Sequence, residues 1–227
     1  MSVSTAMQEY LAETYRLAHQ QKESPYVSTS ALADVMGVSA PAVTRMVQRL
    51  KDAGYLEHEP YQGIFLTPNG EREALMNIRR HRLVERFLVD VMQFGWHEVH
   101  QAADELGAAV SNVVVERMET MAGFPRRCPH GEPIPTRDGI MPDVVDYSLN
   151  EVEEGEEWIV SRANSHDEDK LKYLNQLGLK TGAKFTLIER APFKGPIKLK
   201  VGEETHFIGH ELAGILRVCT QQEFDLV

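Results

Sequence analysis

The chain has 227 residues, 42% of them hydrophobic and 26% charged, with a formal net charge of -10. That length predicts two or three domains, and that composition supplies cores without disulfide or structural-metal staples. The acidic balance excludes non-specific coating of DNA or of anionic membranes, which depends on clustered Lys and Arg, but leaves room for a small module locally suited to a DNA groove. Two cysteines in a chain of this size fit a reducing compartment, where a free thiol is more often a ligand or a nucleophile than half of a bridge. No basic segment followed by an apolar run opens the chain, and no window reaches the roughly 18 apolar residues of a membrane span. The expectation is a cytoplasmic protein with no membrane partner.

Residues 5–20 place Met7, Leu11, Tyr15 and Ala18 on one stripe at helical spacing, which predicts the first helix. In VSTSALADVMG, Ser28 is the predicted N-cap, Leu32, Val35 and Met36 the buried side, and Gly37 the left-handed stop. Ser39 then caps a third helix that ends at Gly54. YLEHEPYQGIFLT reads as two short strands, and Thr67 with Pro68 starts another helix by cap and pre-set φ. Helix, tight glycine turn, helix and a two-stranded wing make residues 1–70 a winged helix-turn-helix. Its third helix is the expected major-groove reader. Ser39, Ala40, Pro41, Ala42, Thr44, Arg45, Gln48 and Arg49 cover its entry and polar side. Arg pairs bidentately with guanine, Gln with adenine, and Ala or Thr touches the thymine methyl. A solvated surface is the plain alternative for an isolated helix of this composition, but the order of elements around it favours DNA.

The apolar pattern continues from 68 to about 93, with further helices expected at about 97–107 and 111–122. Residues 71–142 thus form an all-helical part with enough apolar surface for a dimer seam. After the proline-broken FPRRCPHGEPIP, the runs WIVSRA, KFTLIER, PIKLKV, ETHFIG and GILRVC alternate with Gly and Pro, which predicts a small β-barrel over 143–227 with one helix at about 167–177. The fold class is α+β and multidomain.

His81 with Glu85, and His100 with Asp104, are pairs four residues apart on helices. That spacing puts two donors on one face about 5–6 Å apart, suited to one ion, although a single such pair is usually a surface hydrogen bond. Cys128 and His130 in an irregular segment can aim at one point. A thiol close to a histidine is a better metal ligand than a bystander, the bland reading being a small buried hydrophobe beside a turn histidine. A nucleophilic role ranks last, because no strand-to-helix elbow or third group accompanies the pair. Cys219 alternates with apolar neighbours and reads as core. In SHDEDK, Ser165 and the carboxylates that follow suit a helix start, and Asp167 is the candidate for completing a metal site.

With SAPAVTRMVQRL, GIFLTPNGE, HRLVERFL, CPHGEPIP, WIVSRANSHDEDKLKYLNQLGL and IGHELAGILRV in view, the whole chain resembles the diphtheria-toxin-repressor family of iron- and manganese-dependent transcriptional regulators. CPHG followed by IP resembles its manganese-type members. The resemblance implies a winged-helix DNA-binding domain, a helical metal-binding and dimerisation domain, and an SH3-like, FeoA-like C-terminal domain. It further implies a homodimer that binds a palindromic operator when loaded with Mn(II) or Fe(II) and represses metal-uptake genes. Carried over, His81, Glu85, Cys128, His130 and Asp167 fall on ligands of one site, and His100 on a histidine used by some members. A second site begins with Glu9 and Asp104, but its usual next ligands fall on Gly107 and Ala108, which cannot coordinate, so that site is either lost or rebuilt from Glu9 and Asp104 with Glu13, His100 or Glu105. One strong site per subunit is the expectation, with manganese favoured because both matching positions of the second site are carboxylates. Two other readings are a winged-helix regulator answering to an organic ligand and a metal-dependent hydrolase; the second lacks an HExxH motif or a paired general acid and base.

Overall fold

The computed structural model describes residues 3–21 and 24–226. The chain divides into two compact units, Met1–Arg80 with Pro135–Met141, and His81–Ile134 with Pro142–Val227.

In the first unit, helix α1 (Thr5–Gln20) starts where Ser4 Oγ accepts a hydrogen bond from the Met7 amide. Helix α2 (Thr29–Met36) is capped by Ser28, whose Oγ accepts from Ala31 N at 3.1 Å, and stops at Gly37, which takes the left-handed φ of 62°. Helix α3 (Ala40–Asp52) begins after Ser39 with Pro41 in its first turn; Ser39 holds the cap position without a side-chain cap bond. Strands β1 (Leu56–Glu59) and β2 (Gly63–Leu66) form the wing, antiparallel with Leu56 opposite Leu66. Val27 adds a bridge to Ile64 through two backbone bonds of 2.8 and 2.9 Å. Gly63 has φ 129°, and a Cβ there would stand 2.5 Å from the Val27 carbonyl oxygen, so a side chain would break this bridge. Helix α4 (Pro68–Asp90) starts where Thr67 Oγ1 accepts from Gly70 N at 3.1 Å.

Leu11, Val27, Leu32, Val43, Leu50, Leu56, Ile64 and Ala74 are fully or almost fully buried in this unit's core. Val35 departs from the expected pattern, being 52% exposed. At 100° per residue, Met36 falls between Leu32 and Ala33 on the strip that this eight-residue helix buries, and Val35 falls about 60° beyond Leu32 and about 160° from Ala33, outside it.

In the second unit, helices α5 (Val99–Ala109) and α6 (Asn112–Met121) enclose a core of Leu83, Val84, Leu88, Val99, Ala103, Val115, Met118 and Ile134. The rest of the unit comprises β3 (Tyr147–Ser148), β4 (Glu157–Ala163), α7 (Glu168–Gln176), β5 (Lys184–Arg190), β6 (Ile197–Val201), β7 (Glu204–Ile208), α8 (His210–Gly214), β8 (Leu216–Cys219) and α9 (Gln221–Phe224). Its six strands pair antiparallel in the order β3-β8-β4-β5-β6-β7, with register shifts at Val160/Arg162 and Leu187/Glu189. Such shifts bend a strand and raise its twist, which is how a small sheet curls over its own core. The expected barrel is therefore present as a curled ladder; among the described residues no hydrogen-bonded pairing joins β7 back to β3. Leu171 and Leu174 of α7 are fully buried in the core of this sheet. The short elements β3 and α8 had no signal in the sequence, since two to five residues do not complete a hydrophobic period, while α9 starts at a Thr220–Glu223 capping box, a local signal that the reading of the sequence missed. Among the described residues no helix is long and apolar enough to cross a membrane.

Candidate metal centre

The second unit gathers five of the expected ligands. His81 and Glu85 project one turn apart from α4, and Nε2 of His81 lies 3.2 Å from Glu85 Oε1. His100, in the first turn of α5, brings Nδ1 to 2.8 Å from the same oxygen, and His130 Nδ1 stands 3.6 Å from it. Cys128 Sγ is 4.0 Å from His130 Nδ1.

The CPHG segment achieves this through its backbone. Gly131 N donates to the Cys128 carbonyl at 3.0 Å and Cys128 N to the Glu132 carbonyl at 2.8 Å, closing a turn that aims both side chains one way. Gly131 has φ 90°, and a Cβ on it would sit 1.9 Å from the Ser161 carbonyl oxygen. Glycine is thus what lets the turn lie against β4, where the His130 carbonyl accepts from Ala163 N at 2.9 Å. Arg82 holds the far side of the loop, donating to the Pro133 carbonyl and pairing with Glu132 at 3.2 Å.

Two of the imidazoles are oriented by a partner on their outer nitrogen. His130 Nε2 lies 2.6 Å from the Trp96 carbonyl, which only an N–H can face, so Nδ1 carries the lone pair that points inward. Burial pushes the His130 pKa down to about 4 against the pull of Glu85, so the ring is neutral and ready to ligate. His81 Nδ1 faces Asp104 Oδ1 at 3.0 Å. Asp104 therefore reaches across to α4 instead of pairing with His100 on its own helix. Burial works against a proton on His81, but the bonds to Asp104 and Glu85 outweigh it and raise its pKa to about 9. Burial likewise opposes the charge on Glu85, and His100 and His81 overcome it, holding the carboxyl well below its usual range.

Glu85 is 2% exposed, yet neither its Oε1 nor His100 Nδ1 has an aligned hydrogen bond among the described residues, despite their 2.8 Å separation. A buried carboxylate oxygen surrounded by imidazole nitrogens at 2.8 to 3.6 Å needs a balancing positive charge, which the proton on His81 supplies here and a bound cation could supply in its place. Two bonds of about 2.1 Å to one ion put neighbouring ligand atoms about 3.0–3.4 Å apart, so the spacing fits a coordination shell. Cys128, with its thiol pushed up by burial, is protonated until an ion takes the proton's place.

The other expected residues lie elsewhere. Asp167 is exposed and caps α7, its Oδ1 accepting from Lys170 N at 3.1 Å, and it belongs to neither three-donor set among the described residues. The residue before it packs beside one of the candidate donors: the His166 ring centroid lies 4.3 Å from that of His100. The sequence put the cap of this helix at Ser165; the structure puts it at Asp167, whose own amide donates to Ser165 Oγ at 3.1 Å. Glu9 is exposed on α1, in the first unit. Gly107 and Ala108 are on α5 and carry no donor. Cys219 is fully buried at the end of β8, as expected of core.

Three family models match the chain: the N-terminal DNA-binding domain of iron-dependent repressors over residues 2–64, their metal-binding and dimerisation domain over 67–136, and the FeoA domain over 147–218. The iron-dependent repressor IdeR of Mycobacterium leprae is 28% identical, the match covering 92% of this chain and 94% of that protein. The diphtheria toxin repressor of Corynebacterium glutamicum is 30% identical over 56% of this chain and 54% of its own. A solved manganese-dependent transcriptional repressor in complex with manganese superposes with a TM-score of 0.82 at 32% identity, covering 94% of this chain and 99% of the other. This chain belongs to the diphtheria toxin repressor family. Its homologues are metal-dependent transcriptional repressors; His81, Glu85, His100, Cys128 and His130 lie within the part that the metal-binding and dimerisation model spans, and His166 lies within the FeoA part.

Proposed function

We propose that this protein is a metal-dependent repressor, not an enzyme, that acts in the cytoplasm. In this reading it binds palindromic operator DNA as a homodimer when its centre is loaded with Mn(II), Fe(II) being the alternative, and so controls genes of metal-ion uptake. The carrying observation is the convergence of the His81, His100 and His130 ring nitrogens on one buried Glu85 oxygen. The three functional parts are residues 1–70, 71–142 and 143–227. Carboxylate suits Mn(II), while imidazole and thiolate equally admit Fe(II); the manganese complex of the structural relative favours the former. A divalent cation would supply the positive charge that Glu85 and the Cys128 thiolate lack, held by His81, Glu85, His100, Cys128 and His130. Those residues come from α4, α5 and the loop pinned to β4, so filling the centre favours one packing of these elements. Metal acts on operator affinity by binding that packing better than its competitors.

The reading head is α3. Ser39, Ala40, Pro41, Thr44, Arg45, Gln48 and Arg49 are exposed and Ala42 is half-buried, while Val43, Val47 and Leu50 face the core. Gln48 now donates to Asp52 at 2.7 Å and must exchange that bond for a base. Arg45→Ala and Arg49→Ala are each expected to weaken operator binding by about 5- to 150-fold where the arginine reads guanine. Fluorescence anisotropy with operator and scrambled duplexes, with and without Mn(II), checks this; equal wild-type affinity with and without metal defeats the metal-dependent reading.

His166 in this reading is the donor contributed by the approach to α7, the role expected of Asp167. His166→Ala should weaken Mn(II) binding about 10-fold or more with little change in stability. Asp167→Ala should leave Mn(II) affinity nearly unchanged and cost about 1 kcal/mol through loss of the helix cap. Calorimetric Mn(II) titration and urea denaturation of both variants distinguish the two roles, and the opposite pattern returns the ligand to Asp167.

A further inference from the structure

Downstream of the Cys-x-His turn the chain runs through Glu132, Pro133, Ile134 and Pro135. Proline has no amide hydrogen, so a run with proline at alternate positions is poorly held by a sheet ladder, and its carbonyls are open to side-chain donors. Helix α4 supplies two. Arg82 donates to the Pro133 carbonyl, and Arg79 Nη1 donates to the Pro135 carbonyl at 2.7 Å. Residues three apart are neighbours on a helix surface, so one side of α4 grips alternate carbonyls of the run.

The two grips belong to different units. Arg82 and Pro133 lie in the second unit with the candidate donors, and Arg79 and Pro135 lie in the first with the reading head. The boundary therefore crosses α4 between Arg80 and His81, and crosses the run between Ile134 and Pro135. Each side has its own anchor. Ile134 is 4% exposed in the core of the second unit, and its amide donates to the Arg126 carbonyl at 2.8 Å, closing the loop that carries Cys128 and His130. Beyond Pro135, Thr136 N donates to the Ile140 carbonyl at 2.8 Å and Gly139 N to the Thr136 carbonyl at 3.0 Å. That turn delivers Met141 to the core of the first unit. Gly139 has φ 76°, and a Cβ on it would stand 3.1 Å from Arg72 Cγ, so the turn lies close along α4. Arg79 itself is 8% exposed. A guanidinium so buried is costly unless its hydrogens are bonded, which confines it to where Pro135 accepts.

We infer that Arg79 is a positioning residue for the metal response: by fixing the Pro135 carbonyl it makes segment 135–141 follow the Cys128–His130 loop, and so passes the state of that loop to the unit that carries α3. The inference rests on the metal-dependent reading above and assigns no donor. A loop that closes on a cation shifts its own end, and that end is Ile134, one peptide bond from Pro135. With Arg79 in place the shift is shared with the Met141 anchor and with α4 ahead of His81. Without it the run absorbs the shift. An effector works only through an arrangement that it binds better than another, so a linkage that absorbs the difference loses the effect while leaving each site intact.

The test uses full-length protein with Mn(II) as the probe. Arg79→Met keeps the apolar stem and removes the donor. The factor by which Mn(II) raises operator affinity should fall about 5-fold or more, and by linkage the factor by which operator raises Mn(II) affinity should fall equally. Mn(II) affinity without DNA and operator affinity without Mn(II) should both stay within about 2-fold of the wild type, which a merely destabilising change would not allow. Hydrogen exchange read by mass spectrometry follows the linkage without DNA. Mn(II) should slow exchange in both 126–134 and 136–141 of the wild type, but only in 126–134 of Arg79→Met. Equal metal stimulation in the two proteins, or Mn(II) protection of 136–141 that survives in Arg79→Met, overturns the inference and leaves the metal-dependent reading standing. A large loss of Mn(II) affinity without DNA in Arg79→Met also overturns it, since Arg79 would then support the centre itself. No metal stimulation in the wild type defeats both. Where Arg79→Met folds poorly, the wild-type exchange pattern decides: Mn(II) protection that stops at 134 overturns the inference, and protection that continues through 136–141 upholds it.

Discussion

Glu85→Ala is expected to abolish metal-stimulated operator binding altogether, a loss of the order of 5- to 150-fold for a coupling of about 1–3 kcal/mol. Three imidazole nitrogens converge on the one carboxylate oxygen that this substitution removes, so no remaining pair of donors is joined by a negative charge. Mn(II) affinity should fall by about 100-fold or more, because the lost group is a direct ligand and even the supports behind ligands are worth about 10- to 100-fold. Glu85→Gln keeps the volume and one oxygen while removing the charge, and should fall nearly as far. Operator titrations at fixed Mn(II), with circular dichroism to confirm folding, give the result. Persistent metal stimulation in both variants would move the sensing centre away from α4.

The largest effect on stability is expected at Asp146. Its side chain is 1% exposed and serves two arginines: Oδ2 accepts from Arg162 Nε at 2.6 Å and Oδ1 from Arg217 Nε at 2.9 Å. Ser161 Oγ donates to Oδ2 at 3.1 Å, and the Asp146 carbonyl accepts from Arg217 Nη2 at 2.6 Å. Arg162 continues to Glu132 at 3.3 Å, tying β4 and β8 to the loop that carries Cys128 and His130. Asp146→Asn removes the counter-charge of Arg217 and leaves Arg162 only Glu132, and should cost about 3–5 kcal/mol. That corresponds to a fall of roughly 6–20 °C in the unfolding temperature for a chain of this size. Burial opposes the charge on Asp146, but Arg162 and Arg217 win and hold its pKa below the ordinary value. The sign follows from that depression: the stabilisation is complete above the unfolded carboxyl value of about 3.9 and disappears as pH falls through the lower folded value. Urea denaturation between about pH 6 and 2 should therefore show the wild type converging on Asp146→Asn at the acid end. Parallel curves at all pH values would exclude this ion pair as the cause.

The reading head was legible because its information is local. Ser28 as a cap, Gly37 as a left-handed stop and Pro41 inside the first turn of α3 each act within four residues, and the structure uses each at the predicted place. Val35 was misread for a reason of the same scale, since a helix of two turns has too few residues to define the centre of its buried strip. Strand β3 is held by its ladder to β8, with Tyr147 opposite Val218 far along the chain, whereas α9 is held by a local capping box of Thr220 and Glu223.

The sequence by itself determined the donor inventory: a histidine and a glutamate one helical turn apart, a Cys-x-His turn ended by a required glycine, and a histidine beside an aspartate. Spacing within a helix or a turn is set by backbone geometry, which travels with the residues. Which of these candidate donors stand together was decided only by the tertiary structure. Asp104 supports His81 from another helix, the Trp96 carbonyl fixes the His130 tautomer across 34 positions, and His166 reaches His100 while Asp167 caps α7. Those choices depend on how α5 and β4 pack against α4 and the loop. A packing interface brings together residues distant in the chain, and no local rule of spacing encodes the angle at which they meet.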